Sequence, residues 1–552
     1  MPSLAASLVR AAPLLLLAAS LRAQSSLSHL DDAAPIPAGM MRLRVANIWT
    51  RFDERFAPEG GTTPLGAALS ADSLGRAQFP RLEPIEVGLR TLASDPTLRL
   101  SLGRLRVASN ARIVTTPIAI EYGVTRRLSI GVRIPIVQTR RVAQAVVNGD
   151  STRANLGFVS ATARGDAAAK NLAVATAFQG AADSLGRLIA NCPANPSAAG
   201  CAAVNANTAD AIAAQARARA FAQAVRVLGV TASAAIVAPR ASSDLADTLD
   251  ARRIQLNQRL QQYLGATAGA PTSLFSAPTD FSYIDLQGRA GTPGFLASPL
   301  GGGLDSIRTT ERIGFGDIAV GAQFLVFDRF HRAASPPPRL QSRLAVGGAI
   351  RFATSRTDSA QNLVDIPTGD GAGVEFRSAW DLIVGHFGAT VAARYDKSFG
   401  RDVQAPLFGD PDAEYPYPLF ALRKRTPGDV LGIDLTPRLL LTETLALDGH
   451  YGLEHVGATT YGSVENTLAP LIDPCVGCQA PPPVTASGKA RTAHRLGFGL
   501  RYSTVDAYAR GLTRFPVEVS FTRLATVRGS EGLTKQSRDQ IQVRLFYRIL
   551  RR

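Results

Sequence analysis

The chain has 552 residues, and its 60 Lys and Arg against 44 Asp and Glu give a formal net charge of +16. Beyond the N-terminus, Arg, Asp, Gly and Pro interrupt every apolar stretch before it reaches the roughly 18 residues of a membrane-spanning helix. We therefore expect no helical membrane span. Since 49 Gly and 34 Pro are spread along the sequence, one large sheet structure is compatible with this composition.

The N-terminus has the layout of a secretory signal peptide. Arg10 precedes an apolar run at 11–19, and Ala23 is a small residue suited to signal peptidase. We expect residues 1–23 to be removed and the rest to be exported. An exported basic protein meets lipid headgroups and lipopolysaccharide phosphate before nucleic acid, so we interpret the charge as electrostatic attraction to the envelope. An arginine-rich proteome is the alternative explanation.

Residues 24–139 form an N-terminal segment with the first expected strands. The clearest pattern runs from Pro117 to Val137, where apolar residues occupy every second position and polar or small residues lie between them. The apolar set is Ile118, Ile120, Tyr122, Val124, Leu128, Ile130, Val132, Ile134 and Ile136. This pattern predicts two strands of about ten residues, joined by a turn at 125–127, with one face toward lipid and one toward a lumen. Further strands are expected at Leu98–Val107 and Met41–Phe56.

Residues 140–310 form an alanine-rich insertion with helix signals. Asn207 or Thr208 can cap a helix that ends before Gly229, and a second helix is expected from Ser243 to Gly265. In the second helix, leucines recur near helical spacing, so one face should pack while Arg252, Arg253 and Arg259 stay in water. The insertion is expected to cap the outer mouth or to fold into the lumen, and the sequence leaves both open.

Four cysteines lie in two close pairs. Cys192 with Cys201 and Cys475 with Cys478 are expected to form two local disulfides, because an exported protein meets oxidising conditions. A zinc site or redox motif at the second pair is the weaker alternative, since no further cysteine pair or histidine follows at ligand spacing. We expect no metal site and no cofactor.

Residues 311–552 repeat the alternating pattern at membrane-spanning length. Long polar connections at 140–310, 354–372, 397–428, 456–492 and 525–537 alternate with short turns. Outer-membrane barrels have short periplasmic turns and longer outer loops. We therefore predict an all-β protein, a transmembrane antiparallel β-barrel of 12–14 strands with an α-helical insertion, whose long loops lie outside the cell.

The face opposite the lipid carries the candidate site residues. The lumen-lining candidates are Arg133, Arg343, Arg351, Arg377, Arg394, Arg438, Arg501, Glu375, Asp381, Asp434, Asp448 and His450. With Arg495, Arg544 and further carboxylates the expected interior is nearly balanced in charge. Two interpretations remain open: a polar conduit whose arginines contact anionic or carboxylated solutes, and a network of ion pairs that stiffens the barrel.

Signals for catalysis are weak. The chain has six histidines, and it contains neither a Gly-x-Ser-x-Gly nucleophile elbow nor a Walker-type phosphate loop. Asp448 and His450 share a strand face and could form an acid–histidine pair, although such a pair in a charged lumen is more often structural. We expect no catalytic residues and no enzymatic activity.

Three short motifs carry a family resemblance: residues 120–125 (IEYGVT), 314–318 (GFGDI) and 367–370 (PTGD). They resemble hairpin and loop motifs of transporters of the phenol meta-degradation pathway and, more distantly, of long-chain fatty-acid channels of outer membranes. The resemblance implies uptake of small hydrophobic or aromatic solutes. The insertion and the terminal Arg551-Arg552 depart from the family pattern.

The expected function is therefore an outer-membrane channel or transporter for small, hydrophobic or aromatic solutes, in a Gram-negative-type envelope. The alternative is a structural or surface-interaction barrel that acts through its helical insertion. Expected partners are outer-membrane lipid, lipopolysaccharide and a small-molecule solute, with no nucleic acid. The sequence leaves the oligomeric state open.

Overall fold

The computed structural model describes residues 33–34, 36–148, 154–266, 268–270, 272–330, 340–356, 362–406, 420–462 and 488–548. The predicted signal peptide and the pair Cys475 and Cys478 lie outside these ranges. The barrel strands are β1 (Met40–Phe56), β2 (Leu105–Gly123), β3 (Leu128–Val147), β4 in two parts (Thr310–Phe315 and Ala319–Asp328), β5 (Leu340–Arg351), β6 (Gly373–Val384), β7 (Phe387–Ser398), β8 (Val430–Leu440), β9 (Leu445–Val456), β10 (Arg491–Ser503), β11 (Val517–Gly529) and β12 (Thr534–Arg548).

These strands form a closed antiparallel barrel of twelve strands, which confirms the predicted fold class. Each strand pairs with its neighbours in sequence, and β1 closes the ring by pairing with both β2 and β12. The two parts of β4 pair with successive stretches of β3 and are separated by residues 316–318. Because the sheet is closed, no edge strand exposes unpaired backbone N–H and C=O groups to lipid, as a membrane barrel requires.

The first hairpin is longer than its apolar pattern indicates. β2 has 19 residues and β3 has 20, because both strands continue well beyond the apolar belt. The separate strand expected at Leu98–Val107 is wrong: residues 98–104 are not strand, and Leu105 begins β2 itself. The pattern failed there because the inner face of upper β2 is apolar, with Leu105, Val107 and Ile113 buried.

Large apolar side chains cover the outward face of the barrel. Exposed examples on successive strands are Ile120, Ile130, Phe324, Val346, Phe376, Val391, Leu435, Leu447, Phe498, Phe521 and Ile541. In water this much exposed apolar surface would be costly, whereas in a bilayer it faces acyl chains. Among the helices in the part of the chain that is described, none has both the length and the apolar character of a membrane span.

The two ends of the barrel differ. The connections after β1, β3, β5, β7 and β9 are long and meet at one end, where Arg401–Pro406, Phe420–Thr426 and Thr460–Tyr461 form a separate three-stranded sheet. The turns at 124–127, 385–386 and 441–444 lie at the other end with both ends of the described barrel and the short helix Val505–Ala509. We refer to these as the long-loop end and the short-turn end.

Helices cover the long-loop end. They are α1 (Glu83–Ala93), α2 (Arg164–Asn191), α3 (Cys201–Ala206), α4 (Thr208–Val227), α5 (Asp244–Leu264) and α6 (Tyr283–Gln287), which together we call the cap. Their apolar faces form one core with the inner face of upper β2 and β3, and in it the rings of Phe178 and Phe221 lie 4.7 Å apart. The cap therefore sits over the barrel mouth.

Local signals explain two of these helices. The side chain of Asn207 accepts a hydrogen bond from the Asp210 amide at 3.1 Å, and Ser243 caps α5 in the same way through Ala246. The expected solvent exposure of Arg253 is wrong, because its guanidinium is buried and donates to the Ala270 carbonyl at 2.9 Å. The disulfide between Cys192 and Cys201 is present and joins the end of α2 to the start of α3.

Candidate functional site: the barrel lumen

Strand alternation decides which side chains enter the lumen. Because successive residues of a strand point to opposite faces, the small and polar residues between the lipid-facing ones point inward. The structure places on this inner face Arg133, Arg343, Arg351, Arg377, Arg394, Arg438, Arg501, Glu375, Asp381, Asp434, Asp448 and His450. Arg133, Arg377 and Arg438 are half-buried, and the other members are buried.

Most of these residues meet as ion pairs, and a carboxylate is commonly shared by two arginines. Glu375 lies 3.1 Å from Arg133 and 2.6 Å from Arg377. Asp448 is shared in the same way by Arg438 at 2.7 Å and Arg501 at 3.2 Å. Sharing satisfies more of the carboxylate's acceptor positions, which a buried charge needs.

Further pairs link neighbouring strands. Arg343 contacts Asp381 and Arg351 contacts Asp396, each at 2.7 Å. The carboxylate of Glu454 forms ion pairs with Arg394 at 3.2 Å and with Arg495 at 2.9 Å. The lumen is therefore cross-linked from β5 to β10 by charged side chains.

Two arginines of β1 were missed at the sequence level. Arg42 and Arg44 both point inward and contact Glu121, at 2.5 and 3.3 Å. Arg538 and Arg544 of β12 are also buried on the inner face, and Arg544 lies 3.2 Å from Glu518. Their inward direction could have been predicted from the sequence, because Arg42 and Arg44 alternate with the apolar residues Leu43 and Val45.

These additions change the charge balance. The inward arginines within the described ranges include Arg42, Arg44, Arg133, Arg141, Arg312, Arg343, Arg351, Arg377, Arg394, Arg438, Arg495, Arg501, Arg538 and Arg544. The inward carboxylates there include Glu121, Asp317, Asp328, Glu375, Asp381, Asp396, Asp434, Asp448, Glu454 and Glu518. The expected near balance does not hold among the described residues, because Arg42, Arg44, Arg141, Arg312 and Arg538 were not counted. Inward arginines therefore outnumber inward carboxylates there.

A cavity lies in the middle of the lumen, with about 90 Å³ available to the centres of water-sized molecules. One wall is made of small residues, among them Ala319, Gly321, Ala345 and Gly347 of β4 and β5. The facing wall carries charged residues, listed here as Arg42, Arg44, Glu121, Arg133, Arg377, Arg394, Asp434 and Arg544. A solute there would meet guanidinium groups on one side and little steric bulk on the other.

Apolar side chains fill the lumen above this cavity, toward the cap. Phe52, Ile113 and Val137 point inward from β1 to β3 and pack with Leu65 and Ile366, which come from two long connections. Each is at most 3% exposed. We call this cluster the outer seal.

The short-turn end is also occupied. The amide of Ala33 donates to Asp381 at 3.1 Å, and Ala33 packs against Leu325, Ala345 and Ala379 inside the barrel. Ile36 is 1% exposed. The chain before β1 thus enters the short-turn mouth of the lumen.

Two of the three resemblance motifs meet at the interruption of β4. Asp317 is 1% exposed and accepts hydrogen bonds from the amides of Gly371 at 2.7 Å and Ser355 at 3.0 Å. Thr368 donates to the Phe315 carbonyl at 3.1 Å. A Cβ at Gly369 would come within 2.4 Å of the Asp317 carboxylate, so this position needs glycine. Residues 314–318 and 367–370 therefore act as one structural unit of the wall.

The acid–histidine pair considered at the sequence level does not form. The Asp448 carboxylate is held by Arg438 and Arg501, and His450 Nδ1 lies 3.2 Å from the Thr436 hydroxyl. Within the described ranges, no group of three or more His, Cys, Asp or Glu side chains is arranged to hold a metal ion.

Comparison with known proteins finds similarity to solved structures, at low sequence identity and low TM-score. No protein-family model matches the sequence, and no curated protein sequence matches it. Among solved structures, the chain is similar to an outer membrane channel from Pseudomonas putida F1, with 9% identity, a TM-score of 0.38, and coverage of 94% of this chain and 98% of that one.

Two further solved structures are hydrocarbon channels or transporters by their descriptions. The CymD monoaromatic hydrocarbon channel shares 9% identity at a TM-score of 0.25, with 93% of this chain and 89% of that one covered. The Pseudomonas putida toluene transporter TodX shares 10% identity at a TM-score of 0.23, with 93% and 90% covered. The barrel itself is established by its own strand pairing, and the candidate site is the arginine-rich lumen that this pairing encloses.

Proposed function

We propose that this chain is a passive channel for small solutes in the outer membrane of a Gram-negative-type envelope, with a lumen that favours solutes bearing an anionic group. The observation that carries the proposal is the mid-lumen cavity, lined by arginines on one wall and small residues on the other. The guanidinium fork donates two parallel hydrogen bonds to a carboxylate, so an excess of inward arginines suits carboxylated solutes.

The solute class we propose is a small carboxylate, aromatic or aliphatic. The anionic group is supported by the arginine excess, and the aromatic body by the resemblance of residues 120–125, 314–318 and 367–370 to transporters of the phenol meta-degradation pathway. A neutral hydrocarbon would displace water from the charged wall without offering it hydrogen-bond acceptors, which costs free energy in a confined site.

Planar-bilayer recordings test the proposal. In a salt gradient, the purified chain should give a reversal potential of the sign expected for anions. Arg44→Gln combined with Arg377→Gln should move that potential toward zero, while Glu121 and Glu375 keep Arg42 and Arg133 as partners. The control is Arg126→Gln with Arg127→Gln, in the exposed turn outside the lumen. Cation selectivity, or no effect of the lumen pair, would contradict the proposal.

The outer seal allows a second test of the channel proposal. Apolar constrictions restrict ion flow by excluding water, so Leu65→Ser with Ile366→Ser should raise conductance. The alternative function, a surface-interaction barrel that acts through the cap, is favoured by the filling of both lumen ends. It would be supported if neither the intact chain nor the seal variant gave current or solute flux.

A further inference from the structure

Three outward arginines form a single row across β1, β2 and β3. Arg51 is the cross-strand partner of Arg112, and Arg112 is the cross-strand partner of Arg140. All three are exposed and lie on the outer surface of the barrel, since their strand neighbours Phe52, Ala111 and Thr139 are buried inside. We call these three residues the arginine rung.

The rung lies at the border of the apolar belt. On β2 the outward residues run from Tyr122 through Ile118 to Val114, and Arg112 is the next outward position toward the long-loop end. On β1, Trp49 occupies the step below Arg51, and aromatic residues mark the interface between acyl chains and headgroups in membrane barrels. The rung is therefore placed at headgroup level at the long-loop end.

Charge compensation for the rung is incomplete within the described ranges. Of the three, Arg140 alone lies within ion-pair distance of a described carboxylate, Glu311 at 3.8 Å, and that carboxylate already accepts from Gln138 at 2.9 Å. Neither Arg51 nor Arg112 has an ion pair with any described residue. Asp53 follows Arg51 on β1 but makes no ion pair with it.

Other basic residues at this end do have acidic partners. Arg106 lies 2.9 Å from Asp72, Lys535 lies 2.9 Å from Glu54, and Arg523 lies 3.7 Å from Asp539. Like charges directly opposite one another on paired strands repel. Three adjacent guanidinium groups at headgroup level therefore create a local positive potential that an external anion would neutralise.

We propose that the arginine rung binds the phosphate group of an outer-leaflet glycolipid headgroup of the lipid A type. Guanidinium forks match phosphate oxygens, and three of them in one row can contact a doubly charged phosphate together. An open groove of about 510 Å³ between β11, β12, β1 and β2 adjoins the rung, and its lining includes Arg51 and Arg112 with Asn110 and Lys535 as well as Asp53 and Glu54. That groove leaves space beside the rung for the sugar of the headgroup.

The inference rests on the outer-membrane placement proposed above, and it is independent of transport. The first measurement uses the unchanged chain in detergent, with native mass spectrometry against bisphosphorylated and dephosphorylated lipid A. Binding should require the phosphates. Equal binding of both lipids would overturn the proposal, and so would full competition by inorganic phosphate at millimolar concentration, since the site would then take free phosphate.

The second measurement uses Arg51→Gln, Arg112→Gln and Arg140→Gln combined. Loss of three basic groups at a headgroup surface should weaken binding of bisphosphorylated lipid A by at least about tenfold. The matched control removes three arginines at the short-turn end, Arg126, Arg127 and Arg548, and should leave binding unchanged. Equal loss in both variants would mean nonspecific attraction and would overturn the proposal.

A variant that combines Arg51→Lys, Arg112→Lys and Arg140→Lys is used if the Gln variant does not fold. It keeps the charge and loses the fork, so it should fold and bind more weakly than the unchanged chain; unchanged affinity would exclude recognition by the guanidinium fork. Ion conductance is recorded on the same variants and should not change, because the rung lies outside the lumen. Absence of conductance in the unchanged chain, together with intact lipid binding, would contradict the channel proposal alone.

Discussion

At the scale of single residues, adjacent positions on β7 provide a test of the two faces. Val391 is 37% exposed on the outward face, and Ala392 points into the lumen beside Asp434 and lines the cavity. Arginine on the lipid face near the bilayer midplane costs about 2–4 kcal/mol, whereas the lumen offers water and a carboxylate. Val391→Arg should destabilise the barrel more than Ala392→Arg, measured by urea unfolding in liposomes. Equal losses would mean that both faces are buried in protein.

A second residue-scale prediction concerns the shared carboxylates. Glu375→Gln leaves Arg133 and Arg377 without their common carboxylate in a confined space. Breaking a buried pair in this way costs about 3–5 kcal/mol, so the unfolding free energy should fall by a comparable amount. The control is Glu311→Gln, whose carboxylate is half-exposed and 3.8 Å from Arg140, and which should change stability little. If both variants were equally stable, the lumen pairs would be solvated rather than structural.

The same alternation explains what could be predicted from the sequence at this scale. Positions such as Arg394 and Asp434 lie between lipid-facing residues, so their inward direction follows from strand geometry alone. Arg42 and Arg44 escaped because upper β1 carries Ile48 and Phe52 on its inner face, where they contribute to an apolar interior. The contrast between the two faces is therefore weak over β1 as a whole, and the strand was predicted at Met41–Phe56 without an assignment of its faces. Which arginine pairs with which carboxylate depends on register, which the pattern does not contain.

At the scale of elements, helix prediction followed the capping residues. Asn207 and Ser243 mark the starts of α4 and α5 by side-chain hydrogen bonds, and both helices were predicted. The 28-residue α2 was missed because its N-cap is Ala163, which has no side chain able to accept a hydrogen bond. Its alanine-rich faces differ little in polarity, so helical periodicity is weak as well.

The contact between α4 and α5 leads to a pH prediction. Hydrogen bonds from Arg259 and Tyr263 hold the pKa of Asp210 below its ordinary value of 3.8. A depressed carboxyl pKa stabilises the folded state above the unfolded value, and that contribution is lost as the pH falls through the folded pKa. Hydrogen exchange in Asp244–Leu264 should therefore stay constant above about pH 5 and increase below pH 4. Asp210→Asn should remove this pH dependence. If the variant showed the same exchange profile as the unchanged chain, groups other than Asp210 would cause the pH dependence.

At the scale of the whole molecule, the outer location of the cap can be tested on intact cells. Residues 193–200 are mostly exposed, contain several alanines, and lie between the disulfide-linked Cys192 and Cys201. Since long loops of membrane barrels face outward, elastase added to intact cells should cut this segment. The two fragments should stay joined on a non-reducing gel and separate after reduction. The control is trypsin cleavage at Arg126 or Arg127 in the short-turn end, which should require permeabilised cells. Cleavage of the turn in intact cells, with a protected cap, would reverse the orientation of the barrel and move the arginine rung to the inner leaflet.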